Sequence, residues 1–159
     1  MKMFERLQAK KKDNKGFSLV ELIIVIAIMA ILVGVVGTQV VPYLNKSKVA
    51  KDQQLLSAFA TAAVSAYSYK ADKITSTGKL EFDFYADDGS AEEQAIRNEM
   101  KTLISYATIG DLQDKMTSAD GKAADNIHIV LHQSKHTVTV SIKTHKAGTP
   151  KVPDAEATL

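Results

Sequence analysis

The sequence predicts an α+β protein: one long N-terminal α-helix (about 17–70) packed on a small antiparallel β-sheet, with one extra helix (about 91–107). Three observations predict it. An apolar run passes directly into an amphipathic helical pattern, short alternating stretches follow, and a capping signal precedes a further helical pattern. The chain has 159 residues, which is room for one domain.

The apolar run from Phe17 to Asn45 contains one charged residue, Glu21. About 20 apolar residues are enough for a helix to span a bilayer. A carboxylate at membrane depth costs ~2.5–3.5 kcal/mol, so Glu21 is a candidate functional residue. Six basic and two acidic residues precede the run, and this charge places the N-terminus in the cytoplasm by the positive-inside rule.

The positive charge of the chain is confined to that N-terminal segment. In the remainder, acidic residues slightly outnumber basic ones, so the composition offers no case for a nucleic-acid-binding surface. Lys46, Lys48 and Lys51 are explained as flanking residues of a membrane helix. The chain has no cysteine, which excludes disulfides, thiol catalysis and thiolate metal sites.

Between the apolar run and the amphipathic pattern, Gly34, Gly37 and Pro42 predict a bend or weak point in the helix. Glycine lowers helix propensity, and proline removes a backbone hydrogen bond. Small residues can instead allow close helix packing in membranes, which remains an alternative.

The amphipathic half of the helix is predicted from Tyr43 to about Lys70, with Asp52 among the polar residues at its solvent-exposed beginning. Its apolar residues recur at helical spacing and are expected to face a core. They are Val49, Leu55, Leu56, Phe59, Ala60, Ala62, Ala63, Ala66 and Tyr67.

The rest of the chain supplies the partner for that helix. Alternation predicts a strand over 80–84, and Ser90 with Glu93 is a capping box that starts the extra helix. Asp111 is expected to cap a short turn. Two further alternating stretches predict a hairpin, whose turn at Ser134 and Lys135 pairs Leu131 with Val138. Residues 148–159 are predicted to be a flexible tail.

No stretch predicts a catalytic, metal or cofactor site. His128 and His132 share a strand face but lie ~13 Å apart, too far to chelate one ion. The acidic residues Asp83, Asp87 and Asp88 do not have the spacing of an EF-hand loop. The sequence contains no phosphate-binding loop and no nucleophile motif, and the protein is expected not to be an enzyme.

The N-terminal segment resembles the class III signal of type IV prepilins and related pseudopilins. The resemblance covers about residues 11–41 and rests on a basic leader, the following apolar helix and the sequence Gly16-Phe17-Ser18-Leu19-Val20-Glu21. It implies a pilin-like fold with four parts. These are a cleaved leader (1–16), a transmembrane and filament-core helix (17–41), an amphipathic helix with a globular head (42–147) and the tail (148–159).

The resemblance also implies how the chain is processed and assembled. A prepilin peptidase is expected to cut between Gly16 and Phe17 and to methylate the new N-terminal amine of Phe17. Glu21 is expected to pair with that amine during assembly. The implied partners are other copies of the chain in a helical homopolymer, the peptidase, an assembly platform with its ATPase, minor pilins, and the lipid bilayer before assembly.

Two alternatives stay open from the sequence. A pseudopilin of a type II secretion or DNA-uptake machine shares the same N-terminal chemistry. A signal-anchored binding domain that is never cleaved shares the membrane helix. The first interpretation, a type IV pilus subunit, places the precursor in the cytoplasmic membrane and the assembled form at the cell surface.

Overall fold

The computed structural model of the chain describes residues 16–144, 146–149 and 151–159. The chain divides into two compact units, residues 1–41 and 42–159, and each unit has its own architecture. The predicted leader lies outside the described residues, with the exception of Gly16.

The N-terminal unit is helical. Helix α1 spans Leu19–Val35 and is followed by a π-helical segment, Val36–Val40. The amide of Val41 donates to the carbonyl of Val36, five residues back, which is the π-helical pattern. Helical residues continue without a gap into helix α2, Val41–Tyr69, which confirms the predicted long N-terminal helix.

Helix α2 supplies one wall of the core of the C-terminal unit. Its predicted apolar stripe is confirmed for six buried residues, Leu56, Phe59, Ala60, Ala62, Ala63 and Ala66. The Phe59 ring lies edge-on to the Phe84 ring at 5.1 Å between centroids, and it stacks with Tyr106 at 6.3 Å. Aromatic contacts of this kind add to the free energy gained by burying apolar area.

The opposite wall is a four-stranded antiparallel sheet in the order β1-β2-β3-β4. The strands are β1 (Lys79–Asp83), β2 (Ile127–His132), β3 (Thr137–Ile142) and β4 (Ala155–Thr158). In β2 and β3 buried and half-buried residues alternate strictly, as expected for strands with one face on a core. The predicted hairpin is confirmed, because Leu131 lies opposite Val138.

Two helices lie between β1 and β2. Helix α3 spans Ala91–Leu103, with the predicted capping box of Ser90 and Glu93. It ends four residues before the predicted boundary at 107, because Ile104 takes an extended conformation and a second capping box follows.

That second box starts helix α4, Ile109–Lys115. The prediction that Asp111 caps this turn is confirmed, although Asp111 acts from the third helical position of the box and not as the N-cap residue. Thr108 is the N-cap residue, and the Asp111 carboxylate, three residues later, accepts a hydrogen bond from the Thr108 amide at 2.9 Å.

The prediction of a flexible tail over 148–159 is wrong for its second half. Residues Ala155–Thr158 form β4 and pair with β3, with Ala155 opposite Val140. Val152 and Ala155 are buried, and the Val152 amide donates to the Asp120 carboxylate at 2.9 Å. The side chains of this short strand are mostly small or charged and gave no strand signal in the sequence. Its backbone nevertheless pairs with the free edge of β3 and completes the hydrogen bonding there.

The expectation that Asp52 lies on the solvent-exposed side of the helix is also wrong, because its side chain is fully buried. Its Oδ1 accepts hydrogen bonds from the Thr117 amide at 2.8 Å and the Thr117 hydroxyl at 3.1 Å. Its Oδ2 accepts one from the Ser118 amide at 2.8 Å. These three bonds compensate the burial of the charge and fix the segment after α4 to helix α2.

Candidate functional site at the N-terminal end of helix α1

Helix α1 is the most apolar element of the chain, and it has no buried residue. Helix α1 is the apolar part of the continuous helix Leu19–Tyr69. Among the described residues, this is the one helix that is long and apolar enough to cross a membrane. No residue that the structure describes buries this apolar helix, and a helix of this composition suits lipid or other protein around it.

Helix α1 begins at Leu19 because Ser18 caps it. Ser18 has an extended backbone (φ −66°, ψ 142°), and its hydroxyl accepts a hydrogen bond from the Val20 amide at 3.4 Å. In return, the Glu21 carboxylate accepts one from the Ser18 amide at 2.8 Å. This reciprocal arrangement is a capping box, so the carboxylate singled out by the sequence already has a partner in the precursor.

Phe17 precedes the cap and is not part of the helix. Glu21 lies in the first turn of that helix. Both residues nevertheless line one shallow depression, together with Gly16 and Ser18. Phe17 is 87% exposed, and apart from its chain neighbours no described residue has an atom within 4 Å of the position that a Cβ on Gly16 would take. Gly16 and Phe17 are therefore both exposed.

The predicted bend residues lie within the π-helical segment or close to its ends. Gly34 lies near the end of α1, Gly37 lies within Val36–Val40, and Pro42 is the second residue of α2. The Thr38 hydroxyl donates to the Gly34 carbonyl at 3.1 Å. Proline has no amide hydrogen, and a π-helical turn is one way in which a helix accommodates the missing hydrogen bond.

One histidine and one acidic residue of the C-terminal unit, His128 and Asp83, form a hydrogen-bonded cluster with Lys143. The His128 Nδ1 lies 2.9 Å from an Asp83 oxygen, and Lys143 bonds the other oxygen. Burial raises the pKa of Asp83, but the hydrogen bonds from Lys143 and His128 outweigh it and hold that pKa below its usual range. Within the described parts of the chain, no group of three acidic or histidine side chains is arranged to hold a metal ion.

Two buried or clamped charges were missed by the sequence interpretation. Arg97 is 2% exposed and lies over the Phe82 ring, with its Cζ 5.3 Å from the ring centroid. Glu92 holds the connector between α2 and β1, where hydrogen bonds from Ser76 and Thr75 lower the pKa of Glu92 to about 2. Spacing could have indicated Arg97, which follows Ile96 on an amphipathic helix, whereas the Glu92 clamp has no signal in the sequence.

The comparison with protein families matched residues 11–37 to the prokaryotic N-terminal methylation motif. The match includes Gly16, Phe17 and Glu21, and it extends across all of α1. No curated protein matched the chain, and no solved structure matched it.

The long N-terminal helix, the four-stranded antiparallel sheet and the further helices form an α+β arrangement that is pilin-like. The methylation motif then specifies the class further. The chain carries the class III signal peptide of type IV pilins and pseudopilins, which marks N-terminal cleavage and methylation and a membrane-anchored precursor.

Proposed function

We propose that the chain is a structural subunit of a type IV pilus, assembled through its N-terminal helix into a helical homopolymer at the cell surface. The observation that carries the proposal is the position of the methylation motif, which leads directly into a helix with no buried residue. A helix of this kind suits lipid in the precursor and the helices of other copies in a filament. The C-terminal unit, with its own core, would form the outer head.

In this proposal the prepilin peptidase cuts between Gly16 and Phe17 and methylates the Phe17 amine. Gly16 has no side chain, so the backbone can approach the enzyme closely. The cut removes the basic leader and creates an amine four residues from Glu21. An amine and a carboxylate in hydrocarbon attract each other strongly, and each alone is costly. The Phe17 amine of an incoming subunit would thus pair with Glu21 of a subunit already in place.

Processing can be tested by the intact mass of the protein extracted from membranes. The expected mature form starts at Phe17 and carries one added methyl group. Gly16→Val should remain at the precursor mass, because a β-branched side chain obstructs backbone approach. Retention of residues 1–16 in the unchanged protein would overturn the proposal and favour an uncleaved signal-anchored domain.

In this proposal, assembly depends on the assembly platform, its ATPase and minor pilins. The segment from Gly34 to Pro42 is a weak point at which the helix can deform during assembly. The π-helical pattern at Val36–Val40 and the missing amide of Pro42 support this role. Hydrogen exchange of assembled filaments should show faster exchange at 34–42 than in α1 on one side and α2 on the other. Equal protection across all three segments would contradict the weak point.

A further inference from the structure

The residue that fixes the start of helix α1 is Ser18, which immediately follows the proposed cleavage site. In a helix that began further upstream, the Val20 amide would donate to the Gly16 carbonyl, four residues back. Here the Ser18 hydroxyl accepts the Val20 amide instead, at 3.4 Å. The Val20 amide is therefore already bonded to Ser18. It is not available to the Gly16 carbonyl, which belongs to the scissile peptide.

Glu21 completes the arrangement from the other side. Its Oε2 accepts the Ser18 amide at 2.8 Å, and the first helical bond runs from the Leu22 amide to the Ser18 carbonyl at 3.1 Å. Helical hydrogen bonding therefore begins at the Ser18 carbonyl and does not include those of Gly16 and Phe17. A protease needs backbone groups that are not already bonded within a helix, and the box leaves the carbonyl of the scissile bond free of helical bonding.

Without this cap the chain has another place to begin the helix. Asp13 and Asn14 are residue types that cap helices well, and they precede the cleavage site in the sequence. A helix that began there would include Gly16 and Phe17, and it would place the scissile peptide within its first turns.

We propose that Ser18 is a positioning residue for N-terminal processing: by capping α1 with Glu21, it keeps the Gly16–Phe17 peptide outside the helix and accessible to the peptidase. The inference rests on the proposed cleavage at that bond. It also gives Glu21 a role in the precursor, before the amine of Phe17 exists.

The test follows processing of the full-length precursor in membranes that contain the peptidase, with the fraction cleaved measured by mass over time. Ser18→Ala removes the cap and should slow cleavage about fivefold, the factor corresponding to a cap of ordinary strength. Ser18→Asn keeps a side-chain acceptor of similar capping strength and should be cleaved within about twofold of the unchanged rate.

A second measurement separates positioning from direct contact with the enzyme. The backbone ¹³C shifts of Gly16 and Phe17, measured in the full precursor in detergent micelles without the peptidase, should move toward helical values in Ser18→Ala and stay unchanged in Ser18→Asn. Three outcomes overturn the inference: normal cleavage of Ser18→Ala, equal slowing in both variants, or slowing with no change in the shifts. Failure of the unchanged precursor to be cleaved at all would instead overturn the proposed function.

Discussion

Helices α1 and α2 follow each other in the chain, yet they obtain their stability in opposite ways. Helix α1 is almost entirely apolar and buries nothing, whereas α2 contains many polar residues and buries seven, including the charged Asp52. The more apolar helix is the less covered one. Apolar composition alone therefore does not identify a core helix. What distinguishes α2 is that the core of the C-terminal unit covers one of its faces.

The difference in burial between the two helices implies that α1 serves assembly and that α2 serves the folding of the head. Substitutions in α1 should affect what the protein associates with, while substitutions on the buried face of α2 should affect whether the head folds. Three predictions test this separation. The first concerns assembly, and the other two, in order of decreasing expected effect, concern the stability of the head.

The largest effect on assembly is expected from Glu21→Gln. Glutamine can keep the capping box but lacks the charge, so cleavage should persist while filament formation falls on the order of a hundredfold. The reason is the cost of an unpaired charge at membrane depth, ~2.5–3.5 kcal/mol, and about 1.4 kcal/mol corresponds to a factor of ten. The measurement is sheared filament protein relative to membrane-bound protein.

Glu21→Asp is the matched control, because it keeps the carboxylate; an aspartate already serves at the same capping-box position in Thr108–Asp111. It should retain more assembly than the glutamine variant. Normal filament yield from Glu21→Gln would contradict the pairing, and a loss of head stability in that variant would contradict the separation itself.

The second effect concerns the core. Phe59→Ala removes a fully buried ring that contacts Phe84 and Tyr106, and it should lower the free energy of unfolding of the head by ~3–5 kcal/mol. The matched change in α1, Ile24→Ala, removes a side chain that is 53% exposed. It should change the unfolding of the head by less than ~0.5 kcal/mol.

Denaturant unfolding of the full chain in detergent, followed by near-ultraviolet circular dichroism of the tyrosines, measures both variants. Equal destabilisation by the two substitutions would show that α1 contributes to the stability of the head, and the contrast between the helices would then fail.

The third effect concerns the buried carboxylate. Asp52→Asn places an amide group where one oxygen accepts the Thr117 or Ser118 amide, so a donor faces a donor. The expected loss of stability is ~1.5–3 kcal/mol, the value of hydrogen bonds to a charged group. Asp114→Asn, at an exposed position of α4, is the control and should be nearly neutral. Two equally stable variants would show that the three bonds to Asp52 contribute nothing net.

Periodic patterns predicted most of the fold correctly. The Leu131 to Val138 pairing followed from two alternating stretches and a short connection, because a slip of one residue would have exposed every apolar side chain of the hairpin. Asp52 was misplaced because a charge was taken as solvent-exposed by type. Its position, four residues before Leu56 and on the same helix face, was a better indicator.

Other features depend on contacts that are distant in sequence. Strand β4 alternates only small alanines with polar residues and has a single β-branched residue, Thr158, so its signal in the sequence is weak. It forms because β3 offers an unpaired edge. At the candidate site, Gly16, Phe17 and Glu21 were identified from the motif. The role of Ser18 required the geometry, because the sequence shows a capping residue there but not which amide it binds.

Strand β4 also has a consequence for the order of events during synthesis. It is the last strand of the sheet to be translated, and Asp120, made more than thirty residues earlier, receives the Val152 amide in the same region. A chain that lacked β4 would keep the helix, the hairpin and most of the core but would leave the edge of β3 open. An open edge of this kind is where a nascent chain is most exposed to wrong pairing and to proteases. Translation that stops before 155 would leave a head with a nearly complete core and an unprotected margin, a product that quality-control proteases can recognise.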